Sequence, residues 1–424
     1  MAQETAANRG VHDVVKQHYN SVPERGRDWR KTDSKIRGLR SLNNWVKSTV
    51  IQKFSPDESF STSNVRSGEQ RWAEGMDQGG AAPNPMLKVL DLGCGKGGDL
   101  GKWQQAPQPV ELYVGVDPAD VSIDQARERY RQSQRGGGGW RGGRGGPRGG
   151  GGGRGQKNFH AEFFVKDAFG EWLGDIPLIR EVGIDGAAGP GAAGAASARW
   201  GGGGFDVVSM MFCMHYAFES EAKARGMLKN VSGALKKGGR LIGVIPNSDM
   251  LSERVVKFHE ESRTRAEPTA PTEARIANSD EIEQTLEWGN SIYRVRFPGK
   301  TPEDGIFMPP FGWKYSFFLE EAVEAPEYVV PWEAFRAIAE DYNLEMQYRK
   351  PFTSVWKEEK DDPSLGALAE RMGVRERGGG ALRVSDDEME AASELKPMSA
   401  SSLRVLTIPT LLTGFYLAFC FYKV

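Results

Sequence analysis

Apolar and polar positions follow two periods along the chain, and these periods divide it into predicted helices and strands. Residues 11–54 carry apolar side chains at helical spacing and predict helix. Short apolar runs closed by a turn or an acid predict strands at LKVLDLG, ELYVGVD, FHAEFFVKDAF, GGFDVVSMMFCMHYAF and RLIGVIPN. Helical spacing fills the intervals in GGDLGKWQQ, VSIDQARERYRQ and SEAKARGMLKNVSGALKKGG, the last ending at Gly238 and Gly239. This alternation predicts an α/β fold, a mostly parallel sheet with helices on both faces.

Beyond residue 250 the pattern changes to short aromatic runs separated by turn residues. The segment Glu281–Lys357 contains WGNSIYRVRF, GWKYSFFLEEAVEAPEYVVPWEAF and MQYRKPF, which predict a smaller antiparallel part. Residues 57–85 are polar and contain Gly and Pro, so they predict a loop. Residues 358–400 are mostly polar, with a charged helical stretch near SDDEMEAAS.

Composition adds two inserts to this picture, because the excess of glycine is local. The chain has 424 residues, of which 53 are glycine. Residues 133–157 are Gly/Arg-rich and contain no acid, so they are too poor in apolar side chains to form a core and predict a disordered insert. Their arginines are compatible with RNA binding, but a surface-loop insertion that has no role is the favoured interpretation. Residues 183–204 are Gly/Ala-rich and predict a linker.

The run Leu403–Tyr422 is mostly apolar and close to the length of a membrane span. Arg404, Pro409 and Gly414 interrupt it, and its final part, FYLAFCFYKV, is rich in aromatic residues. These features favour a buried strand over a membrane anchor. The N-terminal residues have no apolar segment typical of a secretory signal.

Charge and cysteine content exclude little. The net charge of −2 indicates no particular partner. The three cysteines, Cys94, Cys213 and Cys420, are far apart in sequence and form no C-x-x-C pair. They therefore predict neither a zinc site nor a disulfide framework, and a reducing compartment is the default.

The stretch VLDLGCGKGGDL contains the strongest candidate for a binding site. Gly93, Gly95 and Gly98 follow a predicted strand in the spacing G-x-G-x-x-G, which lets the backbone approach a ligand closely. Asp117, at the end of the next predicted strand, is placed to accept from ribose hydroxyls. These two features fit NAD and S-adenosylmethionine equally well.

Further carboxylates favour an adenosyl ligand without a pyrophosphate. Asp91 and Asp99 flank the glycines and would repel a dianion, and Asp91 is expected to accept from backbone amides of the turn and from a ligand amino group. Asp167 follows the third predicted strand, where it can accept from the adenine amino group. We therefore expect S-adenosylmethionine, with an NAD-dependent oxidoreductase as the alternative.

The motifs HYNS, NNWVKS, DLGCGKGGDL, HYAFES and IPNS occur in this order, and their combination resembles the eukaryotic, fungal-like mRNA cap guanine-N7 methyltransferases. The resemblance spans most of residues 11–357 and then 415–424. It implies a class I S-adenosylmethionine-dependent methyltransferase fold with a smaller antiparallel cap-binding part. The catalytic domain would be 11–424, behind a tail at 1–10. In the family, EMEAAS and FYLAFCFYKV are nearly contiguous, so 394–414 is an atypical insert before the last strand. We interpret it as a mis-spliced or unspliced segment, which would put Tyr416 out of place if present.

The resemblance implies two sets of binding residues. Family members usually have glutamine where this chain has Met211, and methionine cannot make the amide contacts. The set implied for the methyl donor is Lys47, Gly93, Asp117, Asp167, Met211 and Tyr216. The set implied for the cap is Asn43, Asn44, Lys96, Lys102, Arg129, His215, Glu327 and Tyr416. Lys96, Lys102 and Arg129 would contact the triphosphate, Glu327 would accept from guanine N1–H and N2–H2, and Tyr416 would pack on the base.

The reaction implied needs no catalytic side chain and no metal, because guanine N7 has a free lone pair and the sulfonium is already a good electrophile. The resemblance implies the capped 5′ end of mRNA as partner, the transcription and capping machinery as neighbours, and a nuclear location. A methyltransferase of another substrate and an inactive RNA-binding scaffold remain the alternatives.

Overall fold

A computed structural model describes residues 11–22, 29, 32–57, 60, 85–136, 158–190, 203–266, 285–385, 388 and 414–424. The predicted tail at 1–10 lies outside these ranges, as do most of the 57–85 loop and most of the inserts at 133–157, 183–204 and 394–414.

The larger sheet has seven strands, and its topology is that of the predicted fold class. Its strands are β1 (Leu87–Leu92), β2 (Val110–Asp117), β3 (His160–Val165), β4 (Phe205–Met211), β5 (Leu235–Pro246), β10 (Leu344–Pro351) and β11 (Tyr416–Lys423). Their order is β10-β11-β5-β4-β1-β2-β3. The strands from β5 to β3 are parallel, and β11 is antiparallel to both of its neighbours. The predicted α/β fold with a mostly parallel sheet is confirmed.

Helices cover both faces of this sheet, because strands buried on both sides are apolar at successive positions. Val89 and Leu90, neighbours in β1, belong to the two separate cores on opposite faces. The helices are α1 (Val11–Ser21), α2 (Arg37–Phe54), α3 (Leu100–Trp103), α4 (Asp120–Gly136), α5 (Pro177–Val182), α6 (Glu221–Ala234), α7 (Ser248–Ala266), α8 (Trp332–Glu340), α9 (Phe352–Glu359) and α10 (Pro363–Met372). One core includes residues of α2, α4 and α7, and the other includes residues of α5, α6 and α8.

A second sheet of four antiparallel strands confirms the predicted antiparallel part. Its strands are β6 (Glu287–Gly289), β7 (Tyr293–Arg296), β8 (Lys314–Leu319) and β9 (Val323–Tyr328), in that order. Successive side chains of β8 alternate between buried and more exposed positions. One face of this sheet therefore contributes side chains such as Tyr315 and Phe317 to the core.

Several elements differ from the sequence prediction. Within the region 11–54, which was predicted to be helical, the structure describes helices α1 and α2. The predicted end of α6 at Gly238 was wrong: the helix ends at Ala234, because Leu235 pairs with Phe205 and begins β5. The segment MQYRKPF belongs to β10 of the large sheet, not to the antiparallel part. In the polar region 358–400, α10 was not predicted.

The chain's final aromatic segment is a buried strand, as predicted. Residues Tyr416–Phe421 are buried, and β11 lies between β5 and β10. Tyr416 pairs with Pro246, so it has a regular place in the sheet. Of the helices in the described ranges, none is both long and apolar enough to cross a bilayer.

Candidate functional site

The glycine loop after β1 is shaped by left-handed backbone at Gly93 and Gly95. Gly93 has φ +68°, and a Cβ there would lie 2.6 Å from the Cβ of Cys213. Gly95 has φ +50°, and its N–H donates to Asp117 Oδ2 at 2.9 Å. The other oxygen of Asp117 accepts from Ala119 N at 2.9 Å. Only glycine meets both the backbone conformation and the close approach at position 93.

A cavity of about 240 Å³ lies at the carboxyl edge of the parallel strands, where open α/β sheets bind ligands. We call it the donor cavity. Five of the residues predicted to bind the methyl donor line it, namely Gly93, Asp117, Asp167, Met211 and Tyr216. Val11, Val15, Lys16 and Tyr19 of α1 complete the wall.

The donor cavity has a mixed lining that fits an adenosyl group. Asp167 accepts from Phe169 N at 3.0 Å, so its carboxylate is held in an Asx turn at the wall. Met211 is 7% exposed and offers an apolar surface. A side chain at position 93 would collide with Cys213, so glycine lets the loop backbone itself line this cavity.

A second cavity of about 210 Å³ lies between α2 and the four-stranded sheet, and we call it the cap cavity. Six of the predicted residues line it, namely Asn43, Asn44, Lys47, His215, Glu327 and Tyr416. Lys47 was assigned to the methyl donor by resemblance, but the wall it lines is that of the cap cavity.

Glu327 and His215 form a buried polar pair in the cap cavity, at 4% and 2% exposure. Glu327 Oε2 accepts from Tyr315 Oη at 2.7 Å, and Glu327 Oε1 lies 3.5 Å from His215 Nε2. Within the described part of the chain, neither ring nitrogen of His215 makes a hydrogen bond. Buried polar atoms are normally paired, so this wall is suited to a polar ligand.

Asp99 connects Lys47 and Lys102 in a buried ionic cluster at the start of α3. Lys47 Nζ lies 2.8 Å from Asp99 Oδ2, and Lys102 Nζ lies 2.6 Å from Asp99 Oδ1. Lys102 also donates to Asn44 Oδ1 at 2.8 Å. Burial alone would raise the pKa of Asp99, but Lys102 and Lys47 hold it well below its ordinary value. The cluster therefore fixes Asn44 and Lys47, which both line the cap cavity.

Three cations were predicted to bind phosphate, namely Lys96, Lys102 and Arg129. None of them is among the described residues that line the two cavities. Lys96 Nζ donates to the carbonyl of Val22 at 2.6 Å, just beyond α1. Lys102 belongs to the Asp99 cluster, and Arg129 is a half-buried residue of α4. Their contact with a triphosphate stays a prediction.

The expectation that Asp91 accepts from backbone amides of the turn was wrong, while its contact with a ligand amino group stays a prediction. Its carboxylate accepts from Tyr113 Oη at 2.5 Å and from Ser209 Oγ at 2.6 Å, inside the sheet. Burial, and then the charge of Asp99, raises the pKa of Asp91 to about 7. In the glycine loop, the amide that donates to a carboxylate is Gly95 N–H, and it donates to Asp117 instead.

Sequence reasoning missed two residues, Tyr19 and Phe212, that line both cavities. Phe212 follows β4 with φ +65°, a conformation that non-glycine residues adopt rarely and often at functional sites. Its ring lies 4.9 Å from that of Tyr416, between centroids. Tyr19 lies within the HYNS motif, which was the only available signal. Arg40, a cation in the cap cavity wall, was also missed.

A solved S-adenosylmethionine-dependent methyltransferase from Clostridium acetobutylicum is 9% identical, covering 93% of this chain and 96% of its own, with a TM-score of 0.35. One from Listeria monocytogenes is 11% identical, covering 91% and 99%, with a TM-score of 0.35.

Several proteins are much more similar to this chain in sequence than these two solved structures are. The family model described as "mRNA (guanine-N(7))-methyltransferase domain" matches residues 2–69 and 70–398. The mRNA cap guanine-N(7) methyltransferase of Aspergillus clavatus is 59% identical, with 100% of this chain and 71% of the relative aligned. Those of Pyricularia oryzae and Schizosaccharomyces pombe are 57% and 36% identical, each over 98% of this chain and over 77% and 83% of the relative. The chain belongs to the mRNA cap guanine-N7 methyltransferase family.

Proposed function

We propose that this protein transfers a methyl group from S-adenosylmethionine to N7 of the guanine in the 5′ GpppN cap of mRNA. The observation that carries the proposal is the pair of adjoining cavities, one at the glycine loop and one at Glu327, which share the walls formed by Tyr19 and Phe212. Two substrates can therefore be bound side by side with their reacting atoms at the common wall.

The donor cavity would hold S-adenosylmethionine through backbone and carboxylates. Gly93 would offer its backbone to the donor, Asp117 would accept from the ribose hydroxyls, and Asp167 would accept from the adenine amino group. Met211 would contact the adenine through its apolar side chain, in the place of the amide contacts made by the usual glutamine. Lys47, 2.8 Å from Asp99, would lie between the two substrates.

The cap cavity would recognise guanine through Glu327, whose two oxygens match the N1–H and N2–H2 donors of the base. Tyr416 and Phe317 both line this cavity and would give the base aromatic surfaces to pack on. Asn43 Oδ1 is buried without a hydrogen bond among the described residues, so the cavity also offers a polar contact beyond the base edge.

Methyl transfer here needs position rather than proton transfer. The donor supplies a methyl group already activated on a sulfonium, and guanine N7 carries no proton to remove. The chain's part is to hold N7, the methyl carbon and sulfur in line, which contributes through proximity and orientation. Glu327 adds an electrostatic contribution, because its carboxylate favours the positive charge that the guanine acquires.

The proposed partner is the capped 5′ end of mRNA. Because caps are methylated on nascent transcripts, the protein would also work beside the transcription and capping machinery. A nuclear location follows from the same reaction.

The experiment that tests the function is methyl transfer to GpppN-RNA, with mapping of the methylated atom. Uncapped RNA and free cap dinucleotide serve as comparison substrates. We expect methylation at guanine N7 in both capped substrates and none in uncapped RNA. Methylation elsewhere would indicate a methyltransferase of another substrate, and donor binding without turnover would indicate an RNA-binding scaffold. Glu327→Ala should abolish cap methylation and leave donor binding intact.

A further inference from the structure

Tyr19 occupies the boundary between the two cavities, and the family resemblance assigns it no role. Among the described residues that line the cavities, only Tyr19 and Phe212 belong to both walls. The Tyr19 hydroxyl lies 3.1 Å from the hydroxyl of Tyr216, which the resemblance assigns to the methyl donor. Burial raises the pKa of Tyr19 above its ordinary value, so its hydroxyl stays protonated and able to donate.

The helix that carries Tyr19 is fixed on both sides of this boundary. On the donor side, Asn20 Nδ2 donates to Asp120 Oδ1 at 2.9 Å, and Asn20 Oδ1 accepts from Val121 N at 3.2 Å. On the cap side, His18 Nε2 accepts from Glu324 N in β9 at 3.3 Å. Helix α1 therefore contacts both the four-stranded sheet and the carboxyl edge of the large sheet, where the donor cavity lies.

The path of the methyl group and the charge it carries indicate what a residue at this position can do. A methyl group that passes between two adjoining cavities passes the residues common to both walls. A positive charge is present there throughout, first on sulfur and then on the methylated guanine. The face of an aromatic ring attracts such a cation.

We propose that Tyr19 is a further binding and positioning residue of methyl transfer, which contacts both the methyl donor and the cap guanine and holds Tyr216 through its hydroxyl. This inference rests on the proposed function. Because one side chain contacts both ligands, binding of each ligand orders the wall that the other uses, and the two binding events are coupled.

The test uses the full chain and three variants. Tyr19→Ala removes the ring, and Tyr19→Phe removes the hydroxyl alone. Tyr130→Phe is the matched control, because Tyr130 Oη also donates one hydrogen bond, to Phe159 O at 2.6 Å, and lines neither cavity wall as described. Calorimetry gives the Kd for S-adenosylhomocysteine with and without GpppG, and rapid quench gives the single-turnover rate with both substrates saturating.

In the wild type, GpppG should tighten S-adenosylhomocysteine binding by about fivefold or more. Tyr19→Ala should weaken both ligands and remove this coupling. Tyr19→Phe should keep both affinities and slow the single turnover by about three- to tenfold, the usual effect of losing one hydrogen bond. Tyr130→Phe should match the wild type in every measurement.

Tyr19→Ala with wild-type affinities and rate would overturn the inference. Loss of S-adenosylhomocysteine affinity with unchanged coupling would also overturn it, since Tyr19 would then belong to the donor alone. Failure of the proposed function would be seen in the wild type alone. In that case the wild type would bind S-adenosylhomocysteine but would neither bind nor methylate GpppG.

Discussion

Tyr315 Oη donates a 2.7 Å hydrogen bond to Glu327 Oε2, and both side chains are buried. The two residues are opposite each other in β8 and β9, so strand register sets this contact. Burial and the nearby Glu327 charge raise the pKa of Tyr315 well above its ordinary value, and it remains a donor. The bond leaves Glu327 Oε1 on the side of His215 and fixes the plane of the carboxylate.

Tyr315→Phe should therefore weaken cap binding without affecting the methyl donor. Losing this hydrogen bond releases the carboxylate, and we expect the Kd for a cap dinucleotide to rise by about three- to tenfold. Fluorescence titration with the dinucleotide measures the change, and calorimetry with S-adenosylhomocysteine is the internal control. A variant with altered donor affinity and normal cap affinity would show that the bond serves another purpose.

Gly93→Ala should reduce donor affinity, and Gly98→Ala is its matched control in the same loop. At position 93, φ is +68° and the new Cβ would lie 2.6 Å from that of Cys213, so backbone strain adds to a collision. We expect the Kd for S-adenosylmethionine to rise by about tenfold or more. At the exposed position 98, nothing lies within 4 Å of the added Cβ. Equal effects at both positions would exclude the geometric explanation.

Lys102→Met should destabilise the fold more than Lys96→Met does. Lys102 is bound to Asp99 and Asn44 with only 11% of its side chain exposed, whereas Lys96 is half-buried and donates to Val22 O. We expect Lys102→Met to lower the free energy of unfolding by about 1.5–3 kcal/mol, and Lys96→Met by about 1 kcal/mol or less. Urea unfolding measures both. Two variants of equal stability would mean that the cluster contributes nothing net.

Asp91→Asn should change how stability depends on pH. The pKa of Asp91 is raised to about 7 in the fold, so the folded chain binds a proton here that the unfolded chain releases near pH 4. This group therefore stabilises the fold fully below about pH 4 and loses that contribution as the pH rises through about 7. Relative to the wild type, Asp91→Asn should gain stability between pH 4 and pH 8, by at most about 4 kcal/mol.

Urea unfolding at several pH values between 4 and 8 measures the difference between the two proteins. A constant difference across this range would show that Asp91 ionises normally in the fold.

Much of the fold was predictable because local patterns determine it. Apolar runs ending in Gly93, Asp117 and Asp167 predicted three adjacent strands, and parallel strands bring their carboxyl ends to one edge. This geometry brings Gly93, Asp117 and Asp167 together in the wall of the donor cavity. The helix-stop signal at Gly238 failed because a tertiary pairing, Leu235 with Phe205, outweighed it and left a register shift in β5.

Other features depend on contacts between distant segments, which no local pattern encodes. The partners of Asp91 are Tyr113 and Ser209, on the strands at either side of β1. The position of Tyr19 depends on how α1 docks against Asp120 and Glu324. Likewise, the aromatic pattern of β10 predicted a strand without indicating which sheet it joins.

The position of β11 has a consequence for how the chain folds. β11 pairs with both β5 and β10, so these two strands cannot meet each other in the finished sheet. Until Tyr416–Lys423 are inserted, each presents an unpaired edge, and such edges promote aggregation. A chain that stops short of Tyr416 would therefore expose both of these edges and lose one wall of the cap cavity, even though its glycine loop is intact.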